Sequence, residues 1–160
     1  MSSETRRTLI EDITRSVMRW QDATQAFDEV VGARLDLGTA ERHCIGFLHA
    51  GPRPAGAIAD AVGLTPAAIT SLIDRLEARG LVERRKNAND RRQILVALTP
   101  AAVKAGARYY GPIAKDGEAL LGKMSTAELE IVRTFLADVL ALQQRHTDRI
   151  RSERGKPRRE

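Results

Sequence analysis

A mainly α-helical fold carrying one small β-hairpin is predicted for this 160-residue chain, and three observations carry the expectation. The stretch Leu64–Leu98 changes period within itself. Ile69, Leu72, Ile73 and Leu76 fall at i, i+3, i+4 and i+7, while the closing run ILVAL is β-branched and apolar. Two short helical patterns meet at Gly63, a residue suited to ending the first helix in a left-handed turn, which marks a helix-turn-helix. Long helical repeats flank this centre on both sides. A hairpin directly after a helix-turn-helix is its winged form. The expected architecture is therefore α+β: a winged part over 39–99, with helical parts over 5–35 and 100–150.

Composition narrows the class. A chain with 42% apolar residues can bury a proper core and is expected to form a single domain. No run of apolar residues is long enough to span a bilayer, and MSSETRRTL lacks the apolar core of a signal peptide, so a soluble cytoplasmic protein without a membrane partner is expected. The single cysteine, Cys44, excludes an intramolecular disulfide framework. A net charge of +5 and a pI near 9.9 suggest a polyanionic partner, and the distribution is sharper than the sum. Residues 65–93 carry seven basic and four acidic side chains and residues 145–160 seven and three, whereas 1–64 carry seven and nine. The excess lies in the helix-and-wing stretch and at the C-terminus.

Taken in order, Leu9, Ile13, Val17, Trp20, Phe27 and Val31 recur every three or four residues and predict a long first helix, from about Thr5 to Leu35. It is too long for one small domain to cover, which points to a dimer helix as readily as to a core one. Gly32 and Gly38 bracket its exit. Thr39 is expected to cap a short second helix, roughly Ala40 to His49, with Cys44, Phe47 and Leu48 inward; GPRP (Gly51–Pro54) stops it. Three later helix starts share one device: Leu64-Thr65-Pro66 with Ile69, Leu98-Thr99-Pro100 with Val103, and Met124-Ser125 with Leu129 each set an apolar residue before a hydroxyl cap and an apolar partner at the fourth helical position. Ser125 with Glu128 adds a capping box.

Strands are expected at Leu81–Lys86 and Gln93–Leu98, joined by the turn formers Asn87 to Arg91. Helices follow over about 100–123 and 126–149, the first bent at Gly111-Pro112. From 151 onward, RSERGKPRRE has no apolar residue and is expected to be a disordered basic tail.

The helix after Gly63 is the candidate reader of double-stranded DNA. Opposite its apolar stripe lie Ala67, Thr70, Ser71, Asp74 and Arg75, mostly small, so the helix can approach the floor of a major groove while hydroxyls and Arg75 reach base edges. Thr65 caps this helix, and its exposed N-terminal amides suit a phosphate. Arg84, Arg85 and Lys86 alternate along a strand, so only some can face the DNA backbone; phosphate contact and plain solvation are equally good readings of them.

The element order and the run LTPAAITSLIDRLEARGLVERRKNANDRRQILVALT resemble the MarR (multiple-antibiotic-resistance regulator) family of winged helix-turn-helix transcription factors. Asp90-Arg91-Arg92, leading to Leu98-Thr99, is similar to the family's wing motif, and Asp74-Arg75-Leu76-Glu77 with Gly80-Leu81-Val82 to its recognition-helix exit. The resemblance implies a homodimer on a pseudo-palindromic operator, joined by the first, fifth and sixth helices. It implies Arg92 in the minor groove, with Arg91 beside it, and a role as repressor released by a phenolic or aromatic-acid-like effector. Asp90 fits as the residue orienting the wing, since phosphates repel a carboxylate. Trp20, His43, Phe47, Tyr109 and Tyr110 are the effector-pocket candidates, though each residue type is more often core. The alanines at 67 and 68 and Ser71 depart from the polar or basic residues many relatives carry, which leaves the operator open.

Cys44 allows an alternative, a thiol-based peroxide-sensing regulator. Its spacing with Phe47 and Leu48, and the lack of a second cysteine, favour a core residue. A third reading is a winged-helix protein-interaction scaffold, which would have no use for Arg91 and Arg92. His43, His49 and His146 have no metal-site spacing, and no catalytic pair or phosphate loop stands out, so neither enzyme activity, metal nor cofactor is expected.

Overall fold

The apolar stripe after Gly63 decides where everything in the first half of the chain packs. The structure, a computed structural model, describes residues 3–88, 90 and 92–154. Its elements are α1 (Ser3–Arg34), α2 (Thr39–Leu48), α3 (Ala55–Val62), α4 (Pro66–Ala78), β1 (Val82–Lys86), β2 (Ile94–Leu98), α5 (Pro100–Leu121) and α6 (Thr126–Arg154). Ile69, Leu72, Ile73 and Leu76 of α4 are all buried, and they meet Cys44 and Leu48 of α2, Ile58 and Ala59 of α3, Val82 of β1 and Val96 of β2 in one cluster. The winged helix-turn-helix class and the hairpin are as expected.

The turns follow from the residues that make them. Gly63 closes α3 in the left-handed region (φ 74°, ψ 32°), donating its N–H to Ala59 O at 2.8 Å, and α4 leaves at 106° to α3. That angle lies within the range of DNA-binding helix pairs. Gly80 (φ 68°) closes α4 in the same way, and Leu81 N–H returns to Leu76 O at 2.9 Å, which turns the chain so that Val82 enters the core. Strands β1 and β2 pair antiparallel, Val82 opposite Leu98 and Lys86 opposite Ile94. Thr99 fastens the hairpin to the end of α4: its hydroxyl donates to Gly80 O at 2.7 Å and accepts from Ala102 N–H at 3.1 Å.

Several expectations are corrected. Thr39 is the first residue of α2 and not its cap; Gly38 takes that place, and its N–H is held by the Glu41 carboxylate at 2.9 Å, as a glutamate at the third helical position does. The left-handed residue at the exit of α1 is Asp36 (φ 53°), while Gly32 lies inside the helix, where a Cβ would collide with the stem of Arg42. Arg53 pairs with Val96 through two backbone bonds of 3.0 and 2.8 Å, a third rung that Pro52 and Pro54 confine to one residue. Helix α5 runs as one helix with Pro112 inside it, as expected. Helix α6 runs to Arg154, four residues into the stretch expected to be a tail, since Arg, Ser and Glu are compatible with a helix; residues 155–160 lie outside the described ones.

The chain divides into two compact units, Met1–Tyr109 and Tyr110–Glu160, with α5 contributing to both. The first unit holds the cluster above, with α1 joined to it at its C-terminal end, where Val31 and Gly32 are buried. The second consists of the rest of α5 and α6, the latter started by the reciprocal bonds of Ser125 and Glu128 (2.8 and 3.3 Å between side chain and backbone). Among the described residues no single helix is long and apolar enough to cross a membrane.

Leu76 is 0% exposed at the centre of the cluster. Leu76→Ala is expected to cost about 2–5 kcal/mol, read as a lower urea midpoint with an unchanged slope; a loss below about 1 kcal/mol would show that α4 is not the centre of the core.

Candidate nucleic-acid interface

The exposed side of α4 is uniform in character. Ala67, Ala68, Thr70, Ser71, Asp74 and Arg75 are all exposed. Thr65 caps the helix, its Oγ1 accepting the Ala68 N–H at 3.3 Å. Thr70 donates its hydroxyl proton to Pro66 O at 2.9 Å, which leaves its oxygen lone pairs as acceptors on this exposed face. The face is thus a shallow, weakly polar ridge with Arg75 as its long side chain.

The strand arginines separate by face. Arg84 stands opposite Val96, on the side of the hairpin that meets α4. Its Nη2 donates to Asp74 Oδ1 at 2.6 Å, its Nη1 donates to Glu77, and its backbone N–H donates to Glu77 Oε1 at 3.2 Å. The hydrogen bond to Asp74, followed by the charges of Glu77 and Asp74, raises the Arg84 pKa against the opposing effect of burial. Arg84, for which phosphate contact and solvation are equally good readings of the sequence, uses its guanidinium to bridge the wing to α4. Arg85 points to the other face and pairs with Glu83 on its own strand. Lys86 is exposed.

At the wing tip the backbone is set by side chains. Asn87 and Gln93 close the loop through the Asn87 N–H to Gln93 O (2.9 Å) and the Asn87 Nδ2 to Gln93 Oε1 (2.6 Å). Asp90 Oδ1 accepts the Arg92 backbone N–H at 3.0 Å, so this carboxylate orients the main chain at Arg92 and leaves its guanidinium to solvent. Arg92 is exposed, and its side chain has no partner among the described residues. Arg91 lies outside the described residues.

A second arginine cluster escaped the sequence reading. Below the last turn of α4, Glu41 faces Arg79 Nη1 at 3.6 Å and Arg75 Nε at 3.9 Å. Arg79 also donates to Leu35 O at 2.9 Å and lies 3.9 Å from Asp36. Only tertiary structure joins these three segments. The one sequence signal was Glu41, at capping-box spacing from Gly38.

The effector-pocket candidates are dispersed within their units. Trp20 on α1 is 62% exposed and His43 on α2 is exposed. Phe47 is half-buried beneath the Arg53 guanidinium, 5.7 Å from its ring centre, and Tyr109 is half-buried with Arg108 at the same distance. Tyr110 belongs to the second unit. That unit carries an open groove of about 450 Å³ along α6, lined by Glu130, Ile131, Thr134, Phe135 and Asp138; none of the five candidates lines it. Cys44 is fully buried, and burial, with the charge of Glu41 adding, pushes its thiol up to about 11. Among the described residues no three His, Cys, Asp or Glu side chains gather to hold a metal ion.

Comparison with known proteins reads this geometry. A profile of the MarR family matches residues 35–93, the segment from the exit of α1 to the wing. Over this segment the chain is similar to the MarR family. The HTH-type transcriptional regulator YcgE of Bacillus subtilis is 29% identical over 139 residues, spanning 86% of this chain and 85% of that one. Among solved structures, MepR of S. aureus as the F27L mutant bound to an oligodeoxyribonucleotide has a TM-score of 0.51 at 23% identity, over 84% of this chain and 97% of that one. MepR bound to ethidium bromide has a TM-score of 0.56 at 20% identity, over 81% and 95%. The chain is thus similar to HTH-type transcriptional regulators and shares the fold of these solved structures.

The bridge from Arg84 separates positioning from phosphate contact. Arg84→Ala is expected to speed hydrogen exchange at the β1 and β2 amides and to cost about 1 kcal/mol of stability, while leaving the slope of log affinity against log salt unchanged. Arg92→Ala is expected to do the reverse, reducing that slope by about one. A reduced slope with normal exchange in Arg84→Ala would return Arg84 to the phosphate contacts.

Proposed function

We propose that the chain works as a homodimeric, operator-specific repressor whose hold on DNA is weakened by a small aromatic ligand. The observation that carries the DNA half is the pairing of a small-residue helix face with a wing arginine whose side chain has no partner among the described residues. Thr65, Ala67, Thr70, Ser71 and Arg75 meet the major groove, with the Thr65 end of α4 on a phosphate. Arg92, and Arg91 beside it, meet the adjacent minor groove. Arg85 and Lys86 lie along the flanking backbone, and Arg84 holds the wing in register with α4. The oligonucleotide bound to MepR supports the same use of this fold.

Dimerisation rests on where apolar surface is left exposed. Of the exposed large apolar side chains among the described residues, all but Ile94 lie on α1, α5 or α6, including Ile13, Met18, Ile113, Leu120, Ile131 and Leu140. A monomer rarely leaves so much apolar surface to water, and an isologous interface between two copies covers it. On this reading 5–35 and 100–150 are the dimerisation part, 39–99 is the DNA-binding part, and the cytoplasm is the place of action. Two recognition helices then sit about one DNA turn apart, roughly 34–36 Å.

The ligand reading is supported by the ethidium bound to MepR and by the ring side chains of Trp20, His43, Phe47, Tyr109 and Tyr110. A peroxide input through Cys44 is disfavoured by chemistry, since the thiolate is the reactive form and this thiol is held neutral. A pure scaffold role gives the free Arg92 nothing to do.

Leu140 is 70% exposed in the single chain. Leu140→Glu is expected to shift sedimentation from dimer toward monomer and to weaken operator binding more than tenfold; an intact dimer would remove α6 from the interface. The wild-type chain should lose affinity for its operator steeply between 50 and 200 mM salt, and a flat profile would sink the DNA reading.

For Cys44 the sign is definite. Its folded pKa is raised to about 11 from 9.0, so below pH 9 the thiol is protonated in both states and stability is intact. As the pH climbs from 9 toward 11 the unfolded chain ionises first, and about 2–3 kcal/mol is lost. Denaturant melts of wild type and Cys44→Ala across that interval should show the excess loss only in wild type. Rapid alkylation of Cys44 in the native protein at pH 7 would restore the redox alternative.

A further inference from the structure

We infer that Glu41 is a positioning residue for base readout, orienting Arg75 so that its two terminal nitrogens meet a guanine edge. The inference rests on the reading above that the exposed face of α4 enters the major groove. Glu41 is only 14% exposed and stands at the third position of α2. Its Oε2 is fixed by the Gly38 N–H at 2.9 Å, so the carboxylate is anchored by backbone and not by another mobile side chain. The same carboxylate reaches Arg79 Nη1 at 3.6 Å and Arg75 Nε at 3.9 Å.

The two arginines depend on it unequally. Arg79 is held independently by Leu35 O at 2.9 Å and by Asp36. Arg75, 61% exposed, has Glu41 as its one ion-pair partner among the described residues. Its closest approach is through Nε, which leaves Nη1 and Nη2 available. An arginine can address guanine O6 and N7 end-on through both Nη atoms or sideways through Nε and one Nη. A carboxylate on the Nε side selects the end-on mode and restrains a side chain that is otherwise costly in rotamer entropy to order. With Ala67, Ala68, Thr70 and Ser71 making a shallow face, Arg75 is the long donor of this helix. How it is held therefore sets how well a G·C pair is distinguished.

The test uses the full-length chain, duplexes it selects from a randomised pool, and a mixed-sequence duplex as non-specific DNA. Glu41→Gln keeps an oxygen for the Gly38 N–H and removes the charge. The ratio of specific to non-specific affinity is expected to fall about three- to tenfold, with the loss concentrated at G·C positions, while non-specific affinity holds or rises because a negative charge near phosphate is gone. Arg75→Ala should lower the ratio about tenfold or more, and adding Glu41→Gln to it should cause no further loss. Glu41→Ala should repeat the fall in ratio together with a lower Tm. A merely structural role would depress both affinities together and would overturn the inference. So would a wild-type ratio in both Glu41 variants, or an equal loss in the Arg75→Ala background. An unchanged ratio in Arg75→Ala alone overturns the inference together with the Arg75 assignment, and a pool that yields no consensus removes the operator-specific reading beneath both.

Discussion

One helix has to bury one face and, on the proposed function, offer the other to DNA, and that double demand organises the winged part of the chain. Ile69, Leu72, Ile73 and Leu76 are each no more than 1% exposed, and full burial of such a side chain stabilises by about 1.5–3 kcal/mol. The opposite side of the same α4 must stay small and wet. A helix with two such different faces can settle in one rotation only, so the apolar stripe fixes which residues face outward. The neighbouring elements then follow from covering that stripe. Cys44 and Leu48 come from α2, Ile58 from α3, and Val82 and Val96 from the hairpin. The two left-handed glycines, Gly63 and Gly80, let the chain turn at each end of α4 without leaving this cluster.

Rotation alone does not fix the wing, which is attached by charge. Asp74 and Glu77, one turn apart on α4, hold Arg84 from β1, and Thr99 ties the far end of the hairpin to Gly80. These contacts are partly exposed, so each contributes modestly to global stability. Their geometric effect is larger, because a two-stranded ribbon is marginal by itself and needs a support to keep one orientation. Depth of α4 and reach of the wing thus come from different forces, apolar burial for the first and paired charges for the second.

Local signals carried most of the fold. Thr65, Ser125 and Gly63 announce their caps and turn within a few residues, and each forms the bond its residue type favours. The β-branched run ILVAL and the turn formers before it likewise located both strands to within a residue, and a strand sends neighbouring side chains to opposite faces. Such patterning separates Arg84 from Arg85 but cannot say which face turns inward; that depends on Asp74 and Glu77, ten and seven residues earlier, arriving on the helix opposite. The rung at Arg53 was illegible for a different reason, since one residue between two prolines has no period to detect. Thr39 misled because a hydroxyl is the usual cap, whereas here Glu41 reaches back to a glycine. The cluster of Glu41, Arg75 and Arg79 needs the exit of α1, the start of α2 and the end of α4 at once, which no window of sequence contains.

Charge placement, more than charge excess, separates the DNA-facing surface from the rest of the stretch. Residues 65–93 hold seven basic and four acidic side chains, and every one of those acids has an assigned partner: Asp74 and Glu77 with Arg84, Glu83 with Arg85, and Asp90 with the backbone of Arg92. Asp90 is the informative exception, since among the described residues it satisfies an amide and pairs with no guanidinium. The acids therefore cancel the positive charge at the base of the wing and leave it standing at the tip. Uniform basicity would bind any duplex along any part of the hairpin. On the proposed function, neutralising the base concentrates phosphate attraction on Lys86 and Arg92, the wing cations with no acidic partner among the described residues, and leaves it weaker at Arg85. The same acids that hold the wing to α4 thereby narrow the orientations in which the pair can approach DNA.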